Sequence, residues 1–568
     1  MPIGVAGFLV VCCLAVNTVA AHAQIYDPQK ESPISLLVAP KDGVAYYELR
    51  KRAARLAFVD AAQAEPLIEQ LVRDYPRDAE NWMLLGMVKR GVNKPDEAAV
   101  AFEKARDISG LRREPMGMAA AYVAADDKRA ALAALRRGIF EDRSIGRQQL
   151  FNAAALAPLR ADPEFRAITG RPDTTGVSRE EGWRRDLDYL YAEALRVSPD
   201  YRNGNAPAAF TRAYRELKER IPALSLEQFI VGLNRMLATL HQGHTGLFGG
   251  GGVHHLPVQF YVFPEGIFIV RAAEQHQELV GTRLVSIGRT SAEDALRLVN
   301  RMQSVDGDME YVGLGALLLR TAEYLKGSGV DIRVDAVDIT VESRDGQRRT
   351  VTLGGAGLQS PWKLPPPPRV QAPVFLRNTQ ESHWEQALPE RSAVYVQFNQ
   401  VRDDPTETLR AFGTRLWSVL EAQKPRNLIL DLRHNTGGTT SLYPELLRTV
   451  IAYTRVPGRQ VYALIGRTTY SAAANFITDL ERLADPLFVG EASSECCNLN
   501  GDFVQVHLAH SGLSGTIAGV RWNLSGDVFD GRREMSPHVP VQLTAAAYFA
   551  GRDPALEAVF RLIDGIKR

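Results

Sequence analysis

The chain has 568 residues, 45% hydrophobic and 23% charged, with 67 Lys and Arg against 66 Asp and Glu, a net charge of +1. This is globular composition, long enough for about three or four domains, and it excludes a wholly disordered or collagen-like chain. With no excess charge and no basic run, nothing attracts nucleic acid at long range, and no nucleic-acid partner is expected. The four cysteines form two adjacent pairs, Cys12–Cys13 and Cys496–Cys497. Neither pair has CxxC spacing, and neighbouring cysteines close a ring only with difficulty, so no disulfide framework is expected. HExxH is absent, and no carboxylate or cysteine completes a ligand set around His241, His244, His254 and His255, so neither a metal nor a cofactor is expected.

Val5 to Ala20 is an apolar run too short for a stable membrane span, which needs about 20 residues. Ala21-His22-Ala23 follows and fits an A-x-A cleavage site. Residues 1–23 therefore read as a signal peptide, which predicts a periplasmic or secreted protein.

Residues 42–170 carry a repeated helical pattern. Trp82, Leu85 and Gly86 are followed by Ala98, Phe102 and Ala105; one repeat length earlier stand Ala64 and Ile68, and one repeat length later Ala131 and Leu135. Small residues recur where helices cross closely, and large apolar ones fill the space beside them. The pattern resembles tetratricopeptide repeats, which implies a surface for a protein partner or for docking on the chain's own enzyme domain. Gly170 to Ser178 reads as a linker.

Residues 179–248 are helical in pattern, with Trp183, Leu187, Leu190, Tyr191 and Leu195 at three- and four-residue spacing, and they end in His241-Gln242-Gly243-His244-Thr245. Residues 256–358 then read as short strands, with a helix from Ser291 to Asn300. The turn Gly281-x2-Leu284-x2-Ile287-Gly288 resembles that of a degenerate PDZ-like module, with a plain hairpin and helix as the alternative. Pro361 to Pro368 reads as a stiff linker.

Residues 390–568 carry the chemistry. Ala393 to Phe398 and Leu428 to Leu430 read as strands. The second runs through Asp431-Leu432-Arg433-His434-Asn435 into Gly437-Gly438, where two glycines let backbone N–H groups face outward. The lysine of a phosphate loop is missing there. A further strand, Val461 to Ile465, leads to Ser471, at a strand-to-helix corner where a hydroxyl either caps the helix or stands exposed beside its N–H groups.

D-L-R-x-N-x-G-G, then the Ser471-Ala-Ala corner, then Gly490-Glu491, Pro537 and Ala550-Gly-Arg-Asp553-Pro resemble, in this order, the serine peptidases of the C-terminal-processing and tricorn-core superfamily. The resemblance implies a multidomain α/β protein: a ClpP/crotonase-like spiral core, a helical cap and a PDZ-like module, preceded here by the helical repeats. It further implies hydrolysis of peptides or unfolded protein segments. No lysine stands between Lys424 and Lys567, so the Ser-Lys form of the superfamily does not fit. In the Ser-His form Ser471 would be the nucleophile and His244 the base, although Gln242 stands where the family usually has Asp. Gly437 or Gly438 and Ala472 would hold the oxyanion, and Glu491 or Glu534 would orient the imidazole. The alternative is a catalytically inactive peptide- or ligand-binding protein on the same fold.

Overall fold

The computed structural model describes residues 43–109, 115–142, 146–201, 204–249, 253–354, 356–357 and 373–566. The expected signal peptide, Cys12, Cys13 and the proline-rich linker lie outside them. The chain divides into two compact units, one ending at Asp173 and the other starting at Thr174. No helix among the described residues is long and apolar enough to cross a membrane.

In the first unit the helices Gly43–Val59, Ala61–Asp74, Ala79–Gly91, Pro95–Ser109, Pro115–Ala124 and Lys128–Arg137 follow one another, each packing on the next. Asp60, Asp78 and Asp127 cap three of them by accepting backbone N–H groups of the first turn. The recurring positions Ala64, Ile68, Ala98, Phe102, Ala131 and Leu135 are all buried.

The second unit opens with the helices Arg179–Val197, Ala208–Arg220 and Leu226–Ala238. Ser225 and Gln228 start the third with a reciprocal capping box. The strands Val258–Phe263, Gly266–Ala272, Arg283–Ile287, Val337–Glu342 and Arg348–Leu353 then form one sheet in chain order. Between its third and fourth strands stand the expected helix, Ala292–Asn300, and two more, Met309–Leu318 and Ala322–Gly327, that the pattern did not mark. The helices and this sheet share an apolar core that includes Leu187, Phe229, Leu237, Ile269, Leu284 and Ile339.

The last sheet runs, in order, His383–Leu388, Ala393–Phe398, Asn427–Asp431, Gln460–Ile465, Leu487–Gly490 and Val539–Pro540. The first pair is antiparallel and the rest are parallel. Parallel strands are covered on both faces, which is why Leu428 to Leu430 read as a continuous apolar run. Val394, Val396, Leu428 and Leu430 face the helices Leu409–Gln423, Pro444–Thr454 and Ala472–Ala484. Tyr395, Ile429, Tyr462 and Leu464 face Pro554–Ile566 on the other side. Two motif pieces distant in sequence meet here. Arg433 donates to Asp431 at 2.5 Å and to both carboxylate oxygens of Asp553 at 2.8 Å.

The expectation for the cysteines needs a correction. Cys496 and Cys497, both buried, are bonded to each other, with Cys497 in a left-handed turn at φ 72°.

Candidate active site

The helix Leu226–Ala238 ends in a turn, and His244 follows it in a segment held from several sides. Gln242 is buried; its amide donates to Ser198 Oγ at 2.8 Å and to Asp200 Oδ2 at 2.9 Å, while its N–H donates to Ser304 Oγ at 2.7 Å. Glutamine thus anchors the loop at the place where Asp was expected. Thr516 Oγ1 donates to the His244 carbonyl at 2.9 Å, and Thr245 Oγ1 accepts the Ala518 N–H at 3.0 Å. The imidazole leaves this clamp nearly buried and stacks on the Tyr470 ring, 4.7 Å between centroids.

Ser471 stands between the strand Gln460–Ile465 and the helix Ala472–Ala484. Its backbone takes φ 57° and ψ −125°, a strained conformation for a serine. It occupies the N-cap position, yet its hydroxyl makes no capping bond. That hydroxyl lies 2.9 Å from His244 Nε2, across 227 residues of sequence.

Glu495 is fully buried behind both residues. Its Oε2 accepts the Ser471 N–H at 2.7 Å, and its Oε1 lies 3.2 Å from His244 Nδ1. The Tyr470 hydroxyl is also 3.2 Å from Nδ1. Burial disfavours an imidazolium here, but the Glu495 carboxylate outweighs that and holds His244 above its ordinary pKa.

Gly437 and Gly438, at φ 97° and 141°, run alongside the corner. A Cβ on Gly437 would come within 2.6 Å of Ser471 Cβ, so only glycine fits. The Gly437 N–H donates to Asn435 Oδ1 at 3.0 Å and is thereby used. The N–H groups of Gly438 and Ala472 donate to no protein acceptor among the described residues. The structure therefore brings Ser471, His244, Ala472 and the glycine pair together.

A search of known folds gives the context for this arrangement. The chain is similar in structure to mature CPAF complexed with lactacystin and to mature CPAF alone, each at 12% identity and a TM-score of 0.51, covering 68% of this chain and 98% of that one. These likenesses establish a shared fold. No family model matches the chain, and no curated protein matches it.

Neither glutamate expected at the imidazole is among the groups the structure puts against His244. Glu491 accepts both arms of the Arg467 guanidinium, at 2.6 and 2.7 Å, and that guanidinium lies over the Tyr261 ring. Glu534 is half-buried beside Met535, and its Oε2 has no hydrogen-bond partner among the described residues. Glu495, the carboxylate the structure puts at His244, went unassigned in sequence. Its only signal was being the sole charged residue from Ala492 to Gly501. A cavity of about 480 Å³ between the two sheets, lined by Tyr261, Arg320, Arg467 and Leu543 among others, includes none of Ser471, His244 and Glu495.

Among the described residues two clusters have the spacing of a cation site. Glu65, Glu69 and Glu97 converge in the first unit, where the Lys89 ammonium pairs with all three at 2.6 to 2.7 Å. His244, Asp306 and Glu495 have ligand atoms within 4.8 Å of one another. The histidine of that set already holds the Ser471 hydroxyl.

Proposed function

We propose that the second unit is a serine endopeptidase of the Ser-His type, hydrolysing peptides or unfolded protein segments. The observation that carries this reading is the 2.9 Å contact between Ser471 Oγ and His244 Nε2. It is within the hydrogen-bond reach, about 2.6–3.2 Å, that a general base needs. Further support comes from a hydroxyl left out of helix capping and two unused N–H groups beside it.

In this mechanism neutral His244 takes the Ser471 proton as Oγ attacks the scissile carbonyl, and later gives it to the leaving amine. Glu495 keeps the remaining imidazole proton on Nδ1, so that Nε2 is the accepting nitrogen, and it stabilises the imidazolium as that forms. Gly438 and Ala472 N–H groups receive the developing oxyanion, each worth roughly 3–4 kcal/mol in such sites. Gly437, its own N–H committed to Asn435, acts as the spacer that lets the strand end approach Ser471. The fold shared with CPAF is compatible with this role. The signal-like start fits a periplasmic or secreted enzyme, and the helical repeats would present substrate or a protein partner.

The test is covalent. A fluorophosphonate should label Ser471 stoichiometrically, and Ser471→Ala should abolish both labelling and peptide hydrolysis. Undiminished hydrolysis by Ser471→Ala would remove the proposal. A folded protein that resists labelling would favour the ligand-binding alternative.

A further inference from the structure

Behind His244 lie three carboxyl groups: Glu495, and from the segment inserted into the β-rich sheet Glu310, buried like it, and Asp306, half-buried. Gly307 sets the close approach of the two loops, since a Cβ on it would come within 2.1 Å of the Ser494 carbonyl oxygen. Glu310 Oε1 accepts the N–H groups of Asp306 at 2.7 Å and of Gly307 at 3.1 Å. Asp306 Oδ2 accepts the N–H of Gly243, the residue before His244, at 2.9 Å. Glu495 Oε2 is occupied by the Ser471 N–H. Glu310 Oε2 is left buried with no hydrogen-bond donor, and Glu495 Oε1 has the His244 ring nitrogen 3.2 Å away.

The other titratable groups facing the cluster are His244 and Tyr470, and no Lys or Arg pairs with any of the three acids among the described residues. Three carboxylates cannot all ionise in a dry site against one imidazole. An unpaired buried oxygen next to another acid is satisfied if that acid keeps its proton. Burial and the neighbouring Glu495 charge push both Asp306 and Glu310 well above the usual carboxylate range, and Asp306 has a carboxyl oxygen within 4.8 Å of both Glu495 and His244.

Resting on the Ser-His reading, we propose that Asp306 is a positioning residue that keeps its proton and shares it with Glu495. The pair then carries one negative charge. Through Gly243 it also fixes the peptide from which the imidazole projects. Asp306 touches neither substrate nor reacting atoms; it acts by holding Glu495 at His244 Nδ1.

Infrared difference spectroscopy of the full chain at neutral pH tests this directly. Wild type minus Asp306→Asn should show the C=O stretch of a protonated buried carboxyl group. Asparagine also reproduces a neutral side chain that can accept from Gly243 and donate to Glu495. Asp306→Asn should therefore keep kcat within roughly threefold of wild type, whereas Asp306→Ala should lower it about tenfold or more with KM little changed. The proposal is overturned if the band is absent, if Glu310→Gln removes it while Asp306→Asn does not, or if Asp306→Asn loses as much kcat as Asp306→Ala. The band is read without turnover. A protein that shows it but hydrolyses nothing refutes the peptidase reading alone, and an active enzyme without it refutes this inference alone.

Discussion

Glu495 accepts the backbone N–H of Ser471 through one oxygen and places the other 3.2 Å from the imidazole that meets the Ser471 hydroxyl. One buried carboxylate thus fixes the corner carrying the hydroxyl and faces the ring that would deprotonate it. Substituting Glu495→Gln separates the two tasks. The amide oxygen still accepts the Ser471 N–H, but the charge at Nδ1 is gone. Peptide hydrolysis should fall by about 10²–10⁴-fold in kcat, with the fold retained. Circular dichroism alongside steady-state kinetics checks both halves.

Activity should depend on pH with a defined sign. His244 must be neutral to accept the Ser471 proton, and its pKa lies above that of an ordinary imidazole, about 6.5. As pH falls, the ring therefore protonates early, and the acid limb of kcat/KM should lie on the alkaline side of that value. In Glu495→Gln the same limb should move to lower pH. A pH–rate profile of the two proteins decides this.

Gly437→Ala should inactivate without unfolding. The added methyl would lie 2.6 Å from Ser471 Cβ, at a φ of 97°. Strained backbone of this kind costs about 1–3 kcal/mol, which is tolerable for the domain but displaces the serine. Loss of fluorophosphonate labelling, with a cooperative thermal transition preserved, is the expected result.

Arg433→Ala should act on stability. Its guanidinium joins Asp431, fully buried, to Asp553 near the end of the chain. Removing it leaves a buried carboxylate without its counter-charge, a loss of about 3–5 kcal/mol. The urea midpoint should drop accordingly, while any activity of the protein that remains folded is less affected.

How far the sequence predicts this arrangement depends on the range of each signal. The central strands, the corner at Ser471 and the histidine after the helix Leu226–Ala238 follow from local patterns: apolar runs, paired glycines and a helix stop. The resemblance joined them in one site, and the hydroxyl and imidazole do meet. Gln242 was legible as a departure from the pattern the sequence resembles, but its anchoring was not, because Ser198 and Asp200 reach it from another segment. Glu491 drew attention through its place after Gly490, yet its neighbour in space is Arg467. Glu495 had no motif around it. Asp306 and Glu310 sit in a stretch with no strong period, and only tertiary packing turns them toward His244.

The 227 residues separating His244 from Ser471 also have a consequence in time. Contacts so remote along the chain close late in folding. A polypeptide still emerging from the ribosome holds the imidazole long before the hydroxyl or Glu495 exists. On the proposed peptidase reading, the group that would cut is assembled only after Glu495 has been made, so no shorter nascent chain carries a complete site.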